Sequence, residues 1–280
     1  MKMKLYKRLI SAVLALMLAV GLALPAAAMT ETELRWEFFG LEGLLGFTFM
    51  PLRTVNRSVS VLLGYDEIIA RHAENYNMPK ALLQTSLLRE IMHENILDVG
   101  ADIVVDIYFR ACALGIENLM QPVTQIFKTD DSSTGPGQIE SFTAIPNINW
   151  MIEAGLWEGE PYDASNWSDR AEVWRRLRSD TDYNIENVAL RHLRSARNLF
   201  GMQTPWDGSL QNLTEEQTQW MFAGYNTGSL TSSHTVACYK YYLALDSWNR
   251  GEIDAEELTQ SIAAIEGPHA QMPRLQRDET

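Results

Sequence analysis

Apolar positions recur at intervals of three and four along most of this chain and almost nowhere at intervals of two, which predicts a mainly α protein. Over 65–76, Ile68, Ile69, His72 and Tyr76 form one stripe, and Asn77-Met78-Pro79 interrupts it. Pro79 suits the first turn of a following helix, because its missing N–H would have no intrahelical partner there. Over 80–95, Leu83, Leu87, Ile91 and Glu94 share a face, with Glu90 at its border. Further helices are predicted over 102–120, 168–177, 183–200, 214–222 and 236–250, with a shorter one over 254–265. Thr214 stands three residues before Gln217, the spacing of a capping box. Residues 129–137 form a loop by composition. Residues 29–60 are aromatic and glycine-containing without clear periodicity, the segment 29–64 receives no role, 65–266 reads as one helical domain, and 267–280 as a flexible tail.

The first 28 residues change the picture of where the chain works. Lys2, Lys4, Lys7 and Arg8 precede an apolar stretch over 9–24, and Ala26-Ala27-Ala28 follows, the layout of a cleaved export signal. The apolar run is shorter than the ~20 residues of a spanning helix, and no cysteine stands near the cleavage position to take a lipid. The mature chain is therefore expected to be secreted or held in the cell envelope, with no stable membrane span. Losing four positive charges takes the net charge from −13 to −17. Such a chain has no general electrostatic attraction for nucleic acid or anionic lipid. Cys112 and Cys238 are the two cysteines, and in an oxidising compartment they either pair or stay as buried thiols.

Candidate chemistry centres on Glu94, a carboxylic acid near the end of an apolar helix. Breaking a glycosidic bond requires proton delivery to the leaving oxygen as the sugar becomes oxocarbenium-like. A carboxyl in a partly apolar cleft can keep a proton near neutral pH, since desolvation disfavours its charged form. Downstream stand Ser133-Thr134-Gly135-Pro136-Gly137-Gln138-Ile139 and Ala223-Gly224-Tyr225-Asn226-Thr227-Gly228. An acid on an apolar helix, a Gly/Gln turn and a Tyr-Asn-x-Gly loop, in that order, resemble the lysozyme-like lytic transglycosylases. The resemblance extends over about residues 65 to 245. It takes in Thr143-Ala144 at the start of a helix and Asp182-Tyr183-Asn184-Ile185-Glu186-Asn187-Val188 before another.

This resemblance implies a helical domain with a cleft, cutting the MurNAc–GlcNAc linkage of peptidoglycan strands with Glu94 as acid and then base. It assigns Ser133, Gln138, Tyr225 and Asn226 to substrate binding. Gln138 would contact an N-acetyl group, the glycines would admit the sugar to the backbone, and Tyr225 would place its hydroxyl near Glu94. No cofactor or metal is implied. Glu90, one turn before Glu94, is the competing acid. Asn95 departs from the serine usual after the acid. The 44 positions between Glu94 and Gln138 also exceed the usual spacing, so the helix over 102–120 reads as an insertion.

A second carboxylate would decide the mechanism, ~5 Å from the acid in a retaining hydrolase and ~6.5–9.5 Å in an inverting one. Asp131 is the candidate, with Asp130 beside it; their other reading is as loop-forming residues. Without such a group, the substrate's N-acetyl assists, its 6-hydroxyl captures the sugar, and a 1,6-anhydro end results. A hydrolytic, goose-type muramidase and a non-catalytic wall-binding protein are the alternatives. Trp150, Trp157, Trp167 and Trp206 sit in loop-like stretches and are candidates for lining a sugar groove. His93-Glu94-Asn95-Ile96-Leu97 begins like a zinc-peptidase motif but has leucine where the second histidine must stand.

Overall fold

The computed structural model describes residues 52–120, 130–201, 209–226 and 229–267. The segment expected to be an export signal, Trp206 and residues 268–280 lie outside the described residues. Ten α-helices and no strand occur among the described residues. In chain order they are α1 (Val55–Gly64), α2 (Asp66–Asn75), α3 (Lys80–His93), α4 (Ile96–Ala113) and α5 (Ser141–Glu153), then α6 (Trp167–Ser179), α7 (Thr181–Phe200), α8 (Glu215–Asn226), α9 (Ser233–Asn249) and α10 (Ala255–Glu266).

The centre of the fold is α3, packed by α1, α2, α7 and α9. The run 81–88 is buried on every side, which is why the helix reads as only weakly amphipathic. Its polar members are satisfied inside the core. Gln84 donates to Asp66 (3.2 Å) and accepts from Asn249 (2.7 Å), the Thr85 hydroxyl donates to the Ala81 carbonyl (2.7 Å), and Ser86 pairs with His192 Nε2 (2.8 Å). Buried polar groups without partners would each cost roughly 1–3 kcal/mol. Truncating fully buried Leu82, Leu83, Leu87 or Leu88 to alanine would cost about 2–5 kcal/mol each.

Three departures from the sequence reading have local causes. Helix α1 lies in the segment that shows no clear periodicity, yet Thr54 caps it (Arg57 N–H to Thr54 Oγ1, 3.2 Å) and Val55, Val59 and Leu62 enter the core. Helix α4 begins at Ile96, not 102, because Asn95 and Asp98 form a capping box, and it ends at Ala113 before a short 3₁₀ turn over Glu117–Leu119. Asn95 thus serves as the helix cap, which accounts for a short polar residue other than serine after Glu94. Helix α9 begins at Ser233 because Ser232 accepts from the Thr235 N–H (3.1 Å). The capping box expected at Thr214 and Gln217 is present in both directions (3.2 and 2.9 Å). Pro79 stands as the residue before α3 instead of inside its first turn.

Helix α4 packs on α6 around a small cluster of Val105, Phe109, Ala171 and Trp174. Cys112 and Cys238 are separate buried thiols. No helix among the described residues is long and apolar enough to cross a membrane.

Candidate active site

The last turn of α3 delivers Glu90, His93 and Glu94 to the wall of a cavity of about 350 Å³. Glu94 is the residue at which the chain leaves the helix (φ −53°, ψ 130°), and Asn95 opens α4 at once. This back-to-back junction sets the carboxylate at the edge of the core, about a quarter exposed. Ser133 and Gln138 line the same cavity, although 39 and 44 positions separate them from Glu94. The acid and the Gly/Gln turn expected from the sequence therefore share one space. Glu90, the competing acid, is in it too.

The turn owes its shape to α7. Thr134 and Ile139 exchange backbone hydrogen bonds (3.2 and 3.1 Å) and close a tight loop. Asn184 of α7 accepts from the Gly137 N–H (2.7 Å) and donates to the Thr134 and Leu177 carbonyls (2.9 and 3.0 Å). A Cβ at Gly135 would lie 2.3 Å from the Asn184 side chain, and one at Gly137 would lie 2.3 Å from Val188. The glycines are needed for this approach of helix to turn, whatever else they admit. Gln138 adopts φ +46°, a left-handed conformation uncommon for a residue with a side chain. Its amide donates to the Gly135 carbonyl (3.0 Å), leaving one N–H and the carbonyl oxygen for other partners.

Helix α4, the apparent insertion, is built into the site. Asp98 lines the cavity, and burial pushes its carboxyl above the usual range against the pull of the Asn95 N–H. One turn on, Asp102 accepts from the Ser132 and Thr134 hydroxyls (both 2.8 Å) and so ties α4 to the Gly turn. Burial raises its carboxyl as well, opposed by those bonds and by Arg178 at 3.7 Å. The negative charge of Glu94 adds to both shifts.

Several expected site residues have other work. Asp131 is not a second carboxylate for the cleft: it accepts from the backbone N–H groups of Ser141 and Phe142 (3.0 and 2.8 Å) and from the Ser141 hydroxyl (2.8 Å). It thereby caps α5, whose own N-cap Glu140 makes no side-chain cap. Asp130 faces Arg170 at 3.8 Å. Tyr225 is buried, and its hydroxyl donates to the Gly137 carbonyl (3.2 Å) rather than to Glu94. It acts beneath the turn, its ring stacked on His192 (5.1 Å between centroids) and covered by the Arg191 guanidinium at 4.1 Å. The side chain of Asn226, with Thr227 and Gly228, lies outside the described residues. Trp157 packs near Tyr183 (6.2 Å) and Trp167 against the Trp174 cluster, whereas Trp150 borders a second cavity.

Sequence reasoning missed Arg53 and Arg191. Arg53 forms an ion pair with the Glu94 carboxylate, and the adjoining Leu52 N–H donates to the Glu94 carbonyl (2.9 Å). Nothing in the pattern around residue 53 signals this contact. Arg191 had a signal, a cation three positions from both Val188 and Arg194 on a helix whose other face is apolar. It lines the cavity and also donates to the Tyr225 carbonyl. Four carboxylates, Glu90, Glu94, Asp98 and Glu140, share the cavity wall with Arg191. No trio of His, Cys, Asp or Glu among the described residues is placed to hold a metal ion. No protein family, curated protein or solved structure matches this chain.

Proposed function

We propose that this protein cleaves the glycan strands of peptidoglycan at the MurNAc–GlcNAc linkage, outside the cell, as a lytic transglycosylase. The observation that carries the reading is the meeting of Glu94, Ser133 and Gln138 on one cavity wall. Glu94 protonates the glycosidic oxygen and the bond from C1 to that oxygen breaks. The substrate's N-acetyl group supports the cationic carbon, and its 6-hydroxyl adds to C1 while the Glu94 carboxylate takes up the hydroxyl proton. Ser133 and the free amide groups of Gln138 hold the sugar. Asp102, Asn184 and Tyr225 hold the turn that carries them.

The Arg53 ion pair sets a condition on this chemistry. A protonated Glu94 has no charge to offer Arg53, so this pair must open before Glu94 can deliver a proton; the guanidinium is about 30% exposed. The same contact favours a second reading: a wall-binding protein in which Arg53 keeps Glu94 engaged and no bond is cut. Digestion of purified sacculi by the wild type and by Glu94→Gln, with products identified by mass spectrometry, separates the two. Anhydro ends released by the wild type and lost in the variant support the transglycosylase. Reducing ends mean a hydrolase, binding without release means a wall-binding protein, and undiminished cleavage by Glu94→Gln removes Glu94 from the mechanism.

A further inference from the structure

A second cavity, of about 480 Å³, adjoins the first along the seam between α5 and α7. Helix α5 gives Thr143 to the first cavity and Ile145, Asn149 and Trp150 to the second. Helix α7 gives Arg191 to the first and Arg194 and Arg197 to the second. Three helical residues advance ~4.5 Å along the axis, so on α7 the nearest wall residues of the two spaces, Arg191 and Arg194, stand about one turn apart. The far wall is fixed in place: Asn149 both donates to the Tyr162 carbonyl (2.7 Å) and accepts from the Tyr162 N–H (2.8 Å), which pins the segment carrying Tyr162 and Asp163 against α5.

The charges of the two cavities differ. The first has four carboxylates against Arg191 and suits an uncharged sugar better than an anion. The second has Arg194 and Arg197 on one side, with Glu153 and Asp163 on the other. Among the described residues no carboxylate forms an ion pair with Arg194 or Arg197, in a chain with 36 acidic residues. Arg194 donates to the Asn147 side chain (3.2 Å), and Arg197 lies over the Trp150 ring, 5.2 Å from its centroid. Each guanidinium has five N–H donors in a fork that matches a carboxylate, so most of this capacity is unspent.

We infer that the second cavity binds the carboxylate-bearing peptide attached to the glycan strand, through Arg194 and Arg197; this rests on the reading of the Glu94 cavity given above. The peptide's carboxylate meets the two arginines, and its amide N–H or ammonium groups meet Glu153 and Asp163. A phosphate-rich polymer would find two carboxylates on the opposite wall, which makes a peptide of mixed charge the better fit. The strand would lie with a neutral sugar at Glu94 and its charged branch one turn away, outside the acidic cavity that would repel it.

The test uses the full chain carrying Glu94→Gln, so that glycan stays intact, and measures calorimetric binding of two probes: a peptide-bearing tetrasaccharide and the same tetrasaccharide stripped of peptide. The peptide-bearing probe is expected to bind about tenfold tighter at low salt, as one or two charge-assisted contacts allow. Arg194→Gln with Arg197→Gln erases that difference and leaves the stripped probe unaffected. Both side chains are exposed, so the fold should survive. Equal affinity for the two probes, or equal weakening of both by the arginine substitutions, would overturn the site. No peptide preference in the Glu94→Gln chain with both arginines present, beside sacculus cleavage by the wild-type chain, refutes the peptide site alone. Retained preference beside no cleavage supports the peptide site and removes the catalytic reading.

Discussion

His192 should make this protein acid-sensitive in a measurable way. Its imidazole is fully buried beneath the site, with Nε2 paired to the Ser86 hydroxyl at 2.8 Å and Nδ1 without a hydrogen-bond partner among the described residues. Burial, with a smaller contribution from neighbouring Arg191, lowers its pKa from 6.5 to about 3. In the unfolded chain the ring takes up a proton below pH 6.5, and in the folded chain it does not until about pH 3. The unfolded state therefore binds more protons across that window, and stability falls as pH falls through it. Each tenfold difference in proton affinity is worth about 1.4 kcal/mol. Lowering pH from 7 to 5 should cost about 2 kcal/mol, and the full window about 5 kcal/mol, against a typical total of roughly 5–15 kcal/mol. Urea unfolding of the wild type and His192→Gln, followed by tryptophan fluorescence at pH 7, 6 and 5, isolates the effect, because other groups titrate in both proteins. The variant will be weaker at pH 7, having lost the ring stacked on Tyr225, but its decline with acid should be shallower by about 2 kcal/mol. Parallel declines, within about 0.5 kcal/mol, would refute the neutral buried imidazole.

Four further outcomes are expected. Gly137→Ala places a methyl 2.3 Å from Val188 and 2.9 Å from Asn184 Oδ1, and should cost about 1–3 kcal/mol in thermal or chemical unfolding. Asp102→Ala removes the acceptor of two hydroxyl bonds and should cost about 2–3 kcal/mol, whereas Asp102→Asn should cost less, since burial already disfavours the charge. The raised carboxyl also means that the folded state holds the proton longer as pH rises above 3.8. Wild type should thus lose stability relative to Asp102→Asn on going up through the region just above that value, as paired denaturation curves would reveal. Arg53→Ala breaks an ion pair whose side chains are about 30% and 24% exposed, and should change stability by less than about 1 kcal/mol; under the proposed function it should speed release of soluble fragments from sacculi, and slower release would make Arg53 a working part of the site. Asp131→Ala should cost about 1–2 kcal/mol through loss of the α5 cap and leave the chemical form of any cleavage product unchanged, as mass spectrometry would register.

The helices were legible where burial is one-sided. Amphipathic stripes over 183–200 and 254–265 fall close to α7 and α10 because their polar faces meet water. Helix α1 escapes a periodicity reading because aromatic and glycine-containing residues just before it blur the window, and α4 starts earlier than its apolar stripe indicates because Asn95 and Asp98 form a capping box directly after Glu94. The meeting of Glu94, Ser133 and Gln138 was expected only through the resemblance of their motifs to a known family, since each motif alone reads equally well as a helix end or a plain turn. The reassignment of Tyr225 was not. A Tyr-Asn pair looks the same whether its hydroxyl reaches a carboxylate or a backbone carbonyl on the underside of a turn, and only tertiary packing chooses. Asp131 shows the same limit, since an acid near a glycine turn serves equally as a reacting group or as a cap for a helix ten residues on. Arg53 carries no local pattern because its significance is a contact 41 positions away.

These reassignments share one physical logic. A cavity with four carboxylates repels itself, and the carboxylates can stay near one another only if the backbone beneath them cannot relax. The groups directly under the Gly turn are accordingly neutral and close-packed. Tyr225 keeps its proton because burial pushes its phenol well above the usual range, His192 stays uncharged, and Asn184 spends its side-chain amide on three backbone partners. Asp102 holds the turn from the other side through two hydroxyls. Charge is thus concentrated at the rim, where Arg53, from the segment before α1, and Arg191, from α7, offset part of it. It follows that substitutions in the neutral layer should disturb the cavity through the position of Gln138, whereas those on the rim should act through charge alone and respond to salt. Measuring the ionic-strength dependence of ligand binding for Arg191→Gln beside Tyr225→Phe separates the two. The first should change the salt slope and the second should leave it parallel to wild type, because a lost hydroxyl carries no charge to screen.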